Sequence, residues 1–69
     1  MSGLHERLLA AHERDDREAL ITLYTLAADH SNDLVERSFF LTHAFVFALE
    51  AGDARADHLR ARLHEMGRI

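Results

Sequence analysis

Histidine is the residue of this sequence with the widest chemistry, because an imidazole can bind a metal ion or transfer a proton near neutral pH, and the chain has six of them. His5 and His12 are seven residues apart, or about 10 Å along a helix, which is too far for both to ligate one ion. No His-x-x-x-His pair and no Glu-x-x-His motif occurs. A metal, ligand or catalytic site would therefore have to converge from different helices, with His5, His12 or His43 joined by nearby acids such as Glu50 or Asp57.

Nucleophiles and phosphate-binding loops are sparse. The chain has no cysteine, and none of its serines, Ser2, Ser31 and Ser38, lies in a Gly-x-Ser-x-Gly motif. No glycine-rich run precedes a helical segment. Most carboxylates stand at predicted helix starts or in charge pairs such as Glu13 with Arg17, where capping and solubility account for them. We therefore predict a protein that is not an enzyme and holds no cofactor.

Length and charge limit the other classes of function. A chain of 69 residues suits a single domain, residues 1–69, with a modest core. The formal charge is −4, with eight arginines and no lysine against 12 acids, which argues against a nucleic-acid partner. The longest apolar stretch, residues 39–49, is shorter than the roughly 20 residues that cross a bilayer, so we expect no membrane partner. The charged residues close to Met1 do not suit a signal peptide, and we expect a cytoplasmic protein.

The elements that must position these residues are predicted to be helices. Leu4, Leu8 and Ala11 recur at helical spacing behind a potential Ser2 cap, which predicts a helix over residues 3–13. Asp15 and Glu18 form the pattern of a capping box, which predicts a second helix over residues 16–30.

The second half of the sequence repeats these signals. Asp33 with Glu36 predicts a capping box for a helix over residues 34–51, which Gly52 would end in a left-handed conformation. Asp53 is a candidate cap for the last helix, residues 54–66, which ends near Gly67. The fold class is therefore all-α, with four short helices arranged as two antiparallel αα-hairpins. The residues predicted to form the core are Leu20, Leu23, Phe45, Leu59 and Leu63.

The third predicted helix is unusual because apolar residues occupy two of its sides. Leu41, Phe45 and Ala48 share one side, and a second apolar group occupies the other side: Phe39, Phe40, Val46 and Phe47. One interpretation is a central helix that the other three surround. The other is a helix with one side against a partner, in which aromatic residues form the centre and charged residues the rim: Glu36, Phe39, Phe40, His43, Phe47 and Glu50.

Two turns resemble those of a known family. Residues 48–53, Ala-Leu-Glu-Ala-Gly-Asp, resemble the turn between the two helices of a tetratricopeptide repeat, and residues 14–20 resemble a degenerate copy of it, with Ala19 and Leu23 as its small and large packing residues. The turns recur 37 to 38 residues apart, compared with about 34 in the family. The resemblance implies two αα-hairpins, residues 3–30 and 33–67, and we carry over no peptide-binding groove. Residues 39–53 are also similar to segments of short bacterial helical proteins to which we attach no function.

The third predicted helix has more apolar residues than one core-facing side needs, and the sequence has no catalytic or metal-binding motif. This combination favours a non-enzymatic helical module that binds a protein partner or a second copy of itself as a homodimer. The alternative is a small metal-binding, ligand-binding or catalytic protein built around His5, His12 or His43.

Overall fold

The computed structural model describes residues 3–69, and within that range the chain forms four α-helices and no strand. The helices are α1 (Leu4–Glu13), α2 (Arg17–His30), α3 (Leu34–Ala51) and α4 (Arg55–Glu65), with all bounds within one residue of the predicted ones. Three-residue connections reverse the chain direction, and each helix packs against the next one along the chain. The predicted fold class is confirmed. Within the same range, none of the helices has the length and apolar character that spanning a membrane requires.

The start of α2 differs from the prediction by one residue. Asp16, rather than Asp15, caps the helix, and its Oδ1 accepts a hydrogen bond from the Ala19 backbone N–H at 3.1 Å. Asp15 has a left-handed backbone conformation, with φ +53°, and forms part of the hydrogen-bonded turn that ends α1. The predicted capping box of Asp15 with Glu18 is therefore wrong. Aspartate is one of the few residues that tolerate this conformation, so Asp15 ends one helix and Asp16 starts the next.

The ends of α3 follow the prediction more closely. Asp33 caps the helix by accepting a hydrogen bond from the Glu36 backbone N–H at 3.3 Å, but the Glu36 carboxylate accepts from the Ser31 hydroxyl and does not reach back to Asp33. Gly52 ends α3 in the left-handed conformation, with φ +63°, as predicted. A side chain there would be strained, which explains the glycine. Ser2, the predicted cap of α1, lies outside the described residues.

The joint between α3 and α4 is held by one ion pair. Asp53 Oδ1 accepts hydrogen bonds from the Arg55 backbone N–H at 2.8 Å and from its Nε at 3.0 Å, while Oδ2 accepts from Nη2 at 2.9 Å. Arg55 Nη1 also donates to the Thr22 hydroxyl on α2 at 2.8 Å. The hydrogen bonds from Arg55 lower the pKa of Asp53 from 3.8 to about 2. The predicted Asp53 cap is therefore wrong by one residue, because Ala54 stands at the N-cap position of α4 and makes no side-chain capping hydrogen bond. Asp53, one residue earlier, orients the arginine that links α4 to α2.

This ion pair predicts a pH-dependent contribution to stability. Because the pKa of Asp53 is lower in the folded state, its contribution is fully present above pH 4 and is lost as the pH falls towards 2. Asp53→Asn keeps an acceptor for the backbone N–H but removes the charge. We expect the variant to unfold at a lower urea concentration than the original chain at pH 5, and the difference to shrink by pH 2.5. Asp57→Asn removes a carboxylate from α4 without touching Arg55 and serves as the control; an Asp53→Asn deficit of equal size at both pH values would contradict the prediction.

The core lies between helices that are neighbours in the chain. The larger buried cluster joins α2, α3 and α4 and contains Ile21, Ala28, Leu41, Ala44, Ala48, Leu59 and Leu63. A smaller one joins α1 and α2 and contains Ala11, Leu20 and Leu23. Four of the five predicted core residues are buried, and the fifth, Phe45, is half-buried against the larger cluster.

The molecule is thin. Its Cα atoms span 34 × 28 × 12 Å, whereas two fully stacked layers of helices need about 13–15 Å in the shortest dimension. Arg62 Nη2 donates to Asp29 Oδ1 at 2.6 Å, which adds a second polar link between α4 and α2. The helix α3 thus packs along α2 on one side and α4 on the other, and the side turned away from both helices is open.

Candidate interaction surface

An aromatic cluster surrounds Tyr24 where α1, α2 and α3 meet. The Tyr24 ring is nearly parallel to the rings of His43 and Phe47 on α3, with ring centroids 5.1 and 5.8 Å apart, and it also contacts Phe40. His12 of α1 hydrogen-bonds through Nε2 to the Tyr24 hydroxyl at 2.9 Å and lies edge-on to Phe47. This packing explains why α3 keeps aromatic residues on the side that faces α1 and α2.

The three histidines of the alternative prediction are only partly brought together. His12 and His43 both contact the Tyr24 ring, whereas His5 is exposed on the first turn of α1. His43 Nδ1 lies 2.9 Å from the Phe39 carbonyl oxygen, which can only accept, so this nitrogen carries the proton. Within residues 3–69 no three histidine or acidic side chains are close enough to hold a metal ion together. In the described structure, His12 and His43 serve packing and hydrogen bonding.

The six residues predicted as a partner face divide into two groups. Phe40, His43 and Phe47 are half-buried against α2, and Phe47 also contacts α1. The other three are exposed: Glu36, Phe39 and Glu50. Glu50 Oε1 accepts from Arg17 Nε at 3.2 Å, and the Glu36 carboxylate accepts from Ser31.

The open side of α3 carries an apolar row that differs from the predicted partner face. We call it the α3 ridge and define it by the exposed residues Val35, Phe39, Thr42, Val46 and Leu49. Their spacing alternates between four and three residues, which places all five within about 80° of arc on the helix. Only Phe39 belongs to the predicted face. The alternating spacing was the signal that identifies the others, because it repeats over two heptads as the seam of a coiled coil does.

Two shallow grooves flank the ridge. One has a volume of about 370 Å³ and is lined by Val35, Ser38, Phe39, Thr42, His43 and Arg68. The other, of about 160 Å³, is lined by Thr42, His43, Val46 and Phe47. Knobs on one helix enter holes on another when two helices pair, and the ridge with its grooves offers both features.

A different groove, between α1 and α2, has the chemistry of a solvated surface. Its volume is about 410 Å³, and it is lined by Arg7, Arg14, Asp16 and Glu18 together with small and apolar residues. It contains two basic and two acidic side chains, and Arg14 lies 3.8 Å from Asp16. This mixture provides neither a continuous apolar floor nor a field of one sign, so the α3 ridge is the stronger candidate for a binding surface.

Comparisons with known proteins found no match among family models, curated proteins or solved structures.

Proposed function

We propose that this chain is a non-enzymatic helical module that binds protein through the α3 ridge. The observation that carries the proposal is the concentration of exposed apolar side chains on one helix. Seven large apolar residues are exposed within residues 3–69, and five of them belong to α3: Leu34, Val35, Phe39, Val46 and Leu49. Single exposed apolar residues are normal on a protein surface, whereas a contiguous row is typical of an interaction site.

The size of the row also supports a binding role. The four apolar side chains of the ridge are 44–65% exposed. They leave an apolar area on the order of 400 Å² in contact with water, within the roughly 300–600 Å² of the largest patch on a typical monomer, which is often functional. The helical spacing of the row matches a helical partner best, because a/d side chains pack into the holes of another helix.

The chemistry of the remaining surface supports the choice of binding over catalysis. His12 and His43 are committed to contacts with Tyr24 and with the α3 backbone. The ridge itself has no charged residue, and its only polar side chain, Thr42, donates its hydroxyl to the Ser38 carbonyl oxygen at 2.7 Å. Because the Thr42 hydroxyl already has a hydrogen-bond acceptor, an apolar partner can cover the ridge without leaving this donor unpaired.

Capture experiments with matched variants test this function. We expect partners retained by the original chain to be lost with Val46→Glu, which places a carboxylate in the middle of the ridge, and kept with Ala61→Glu, which adds the same charge on the exposed outer side of α4. A retained protein is then purified, and its affinity is measured directly for all three chains. Retention of the same proteins by all three chains, or loss with both variants, would contradict the assignment of the ridge.

A further inference from the structure

We infer that the occupant of the α3 ridge is a second copy of this chain, with α3 paired antiparallel to α3 about a twofold axis. This inference rests on the proposed function, since it names the partner of the same surface. Symmetric dimers are the commonest oligomers, and a twofold contact uses the same patch on both copies. One such contact covers the ridge of both copies from Phe39 to Leu49.

The area of the ridge matches what a symmetric pair needs. Two ridges that face each other, with their polar rims, bury on the order of 600 Å² from each chain, which approaches the roughly 800 Å² per partner of a standard interface. Burying this area would stabilise the fold, because a chain of 69 residues with a 12 Å shortest dimension has few other places to bury apolar surface. A second copy supplies the missing layer over α3.

The order of side-chain sizes along the ridge favours an antiparallel register. Thr42 and Val46 are the small residues near the middle of α3, and Phe39 and Leu49 are the large ones on either side. In a register centred on residue 44, Thr42 packs on Val46 of the second copy, and Phe39 packs on Leu49 of the second copy. Crossing helices approach most closely at the centre and separate towards the ends, so small central and large outer layers fit this geometry.

Charges at the rim agree with the same register. It brings Glu36 of one chain towards Glu50 of the other, and Glu50 is already paired with Arg17 at 3.2 Å. Glu36 of the second copy would therefore lie near Arg17 as well as near the Glu50 carboxylate, and the arginine limits the like-charge repulsion. Opposed α3 dipoles are also favourable in an antiparallel pair, because each positive helix end lies beside a negative one.

Sedimentation of the purified full chain tests the stoichiometry. We expect the original chain to sediment at twice its 7.9 kDa mass at high micromolar concentration. Val46→Glu should raise the dimer dissociation constant by about 100-fold or more, because it would bury a carboxylate against Thr42 of the other copy at two places in the same apolar contact. Ala61→Glu should leave it unchanged. Phe39→Ser with Leu49→Gln, a double variant without new charge, should also dissociate the dimer, and circular dichroism should show that the variants keep their helices.

The absence of cysteine allows a direct test of orientation. Thr42→Cys and Val46→Cys chains are mixed at the high micromolar concentration at which the dimer forms and are then oxidised. An antiparallel pair should give the mixed disulfide in preference to either homodimer, whereas a parallel pair would link Thr42→Cys to itself.

Each other outcome has a defined meaning. A monomer at several hundred micromolar overturns the second copy as occupant, and the proposed function still stands if captured proteins remain sensitive to Val46→Glu. A dimer that survives Val46→Glu overturns the ridge as the contact. A Thr42→Cys homodimer as the main product overturns the antiparallel arrangement.

Discussion

Replacing Leu63 by alanine is expected to lower the free energy of unfolding by about 2–5 kcal/mol. Leu63 is 1% exposed and belongs to the cluster through which α4 packs on α2 and α3, with Leu41 and Leu59 as equally buried members. The alanine would remove apolar contacts and leave a cavity that surrounding helices can only partly fill. A domain of 69 residues has on the order of 3–10 kcal/mol of stability, so the loss is a large share of the total.

Leu9→Ala is the matched control, because it deletes the same atoms from a side chain that is 50% exposed on α1. We expect it to change the free energy of unfolding by about 0.5 kcal/mol or less. Urea unfolding followed by circular dichroism, at a few micromolar to limit any contribution from self-association, measures both variants. Equal losses for Leu63→Ala and Leu9→Ala would show that the cluster between α2, α3 and α4 does not dominate the stability of the fold.

The helices and most of the core could be predicted from the sequence because each depends on local patterns. Leu59 and Leu63 share a stripe of helical period, Gly52 has the freedom that the end of α3 needs, and Asp33 stands where a cap is required. The error at Asp15 arose because Asp15 and Asp16 are adjacent and both can cap. Only the backbone turn at the end of α1 decides which one does.

The candidate surface could be predicted only in part. Apolar residues on two sides of α3 indicated that the helix has more than one neighbour, but the pattern cannot say which aromatic residues a neighbour covers. The half-buried Tyr24 on α2 decides which residues are covered, because its ring contacts three side chains of α3: Phe40, His43 and Phe47. What then remains exposed is the alternating row that includes Phe39. The packing between helices decides which residues remain on the surface. The periodicity of one helix cannot show which of its residues a neighbouring helix covers.

Phe47→Glu is expected to lower the free energy of unfolding by about 2–4 kcal/mol, because the side chain packs between Tyr24 and His12 and a carboxylate there would be taken partly out of water. Phe39→Glu introduces the same change two turns earlier in α3, at a side chain that is 55% exposed. Its cost to the folded monomer should be under about 1 kcal/mol. Urea unfolding at a few micromolar compares the two variants directly.

The pair of variants separates packing from binding on one helix. If Phe47 belongs to the fold and Phe39 to the α3 ridge, Phe47→Glu loses helicity first on heating, whereas Phe39→Glu keeps its helices and loses the dimer in sedimentation. The reverse result, a stable Phe47→Glu monomer and an unfolded Phe39→Glu chain, would mean that Phe47 faces the partner and that Phe39 is covered within the chain. Equal unfolding of both would mean that α3 has no open side, because a carboxylate is tolerated at an exposed position and not at a covered one. The difference in stability between Phe47→Glu and Phe39→Glu therefore depends on which side of α3 is exposed to water. Exposure to water is also what defines the α3 ridge.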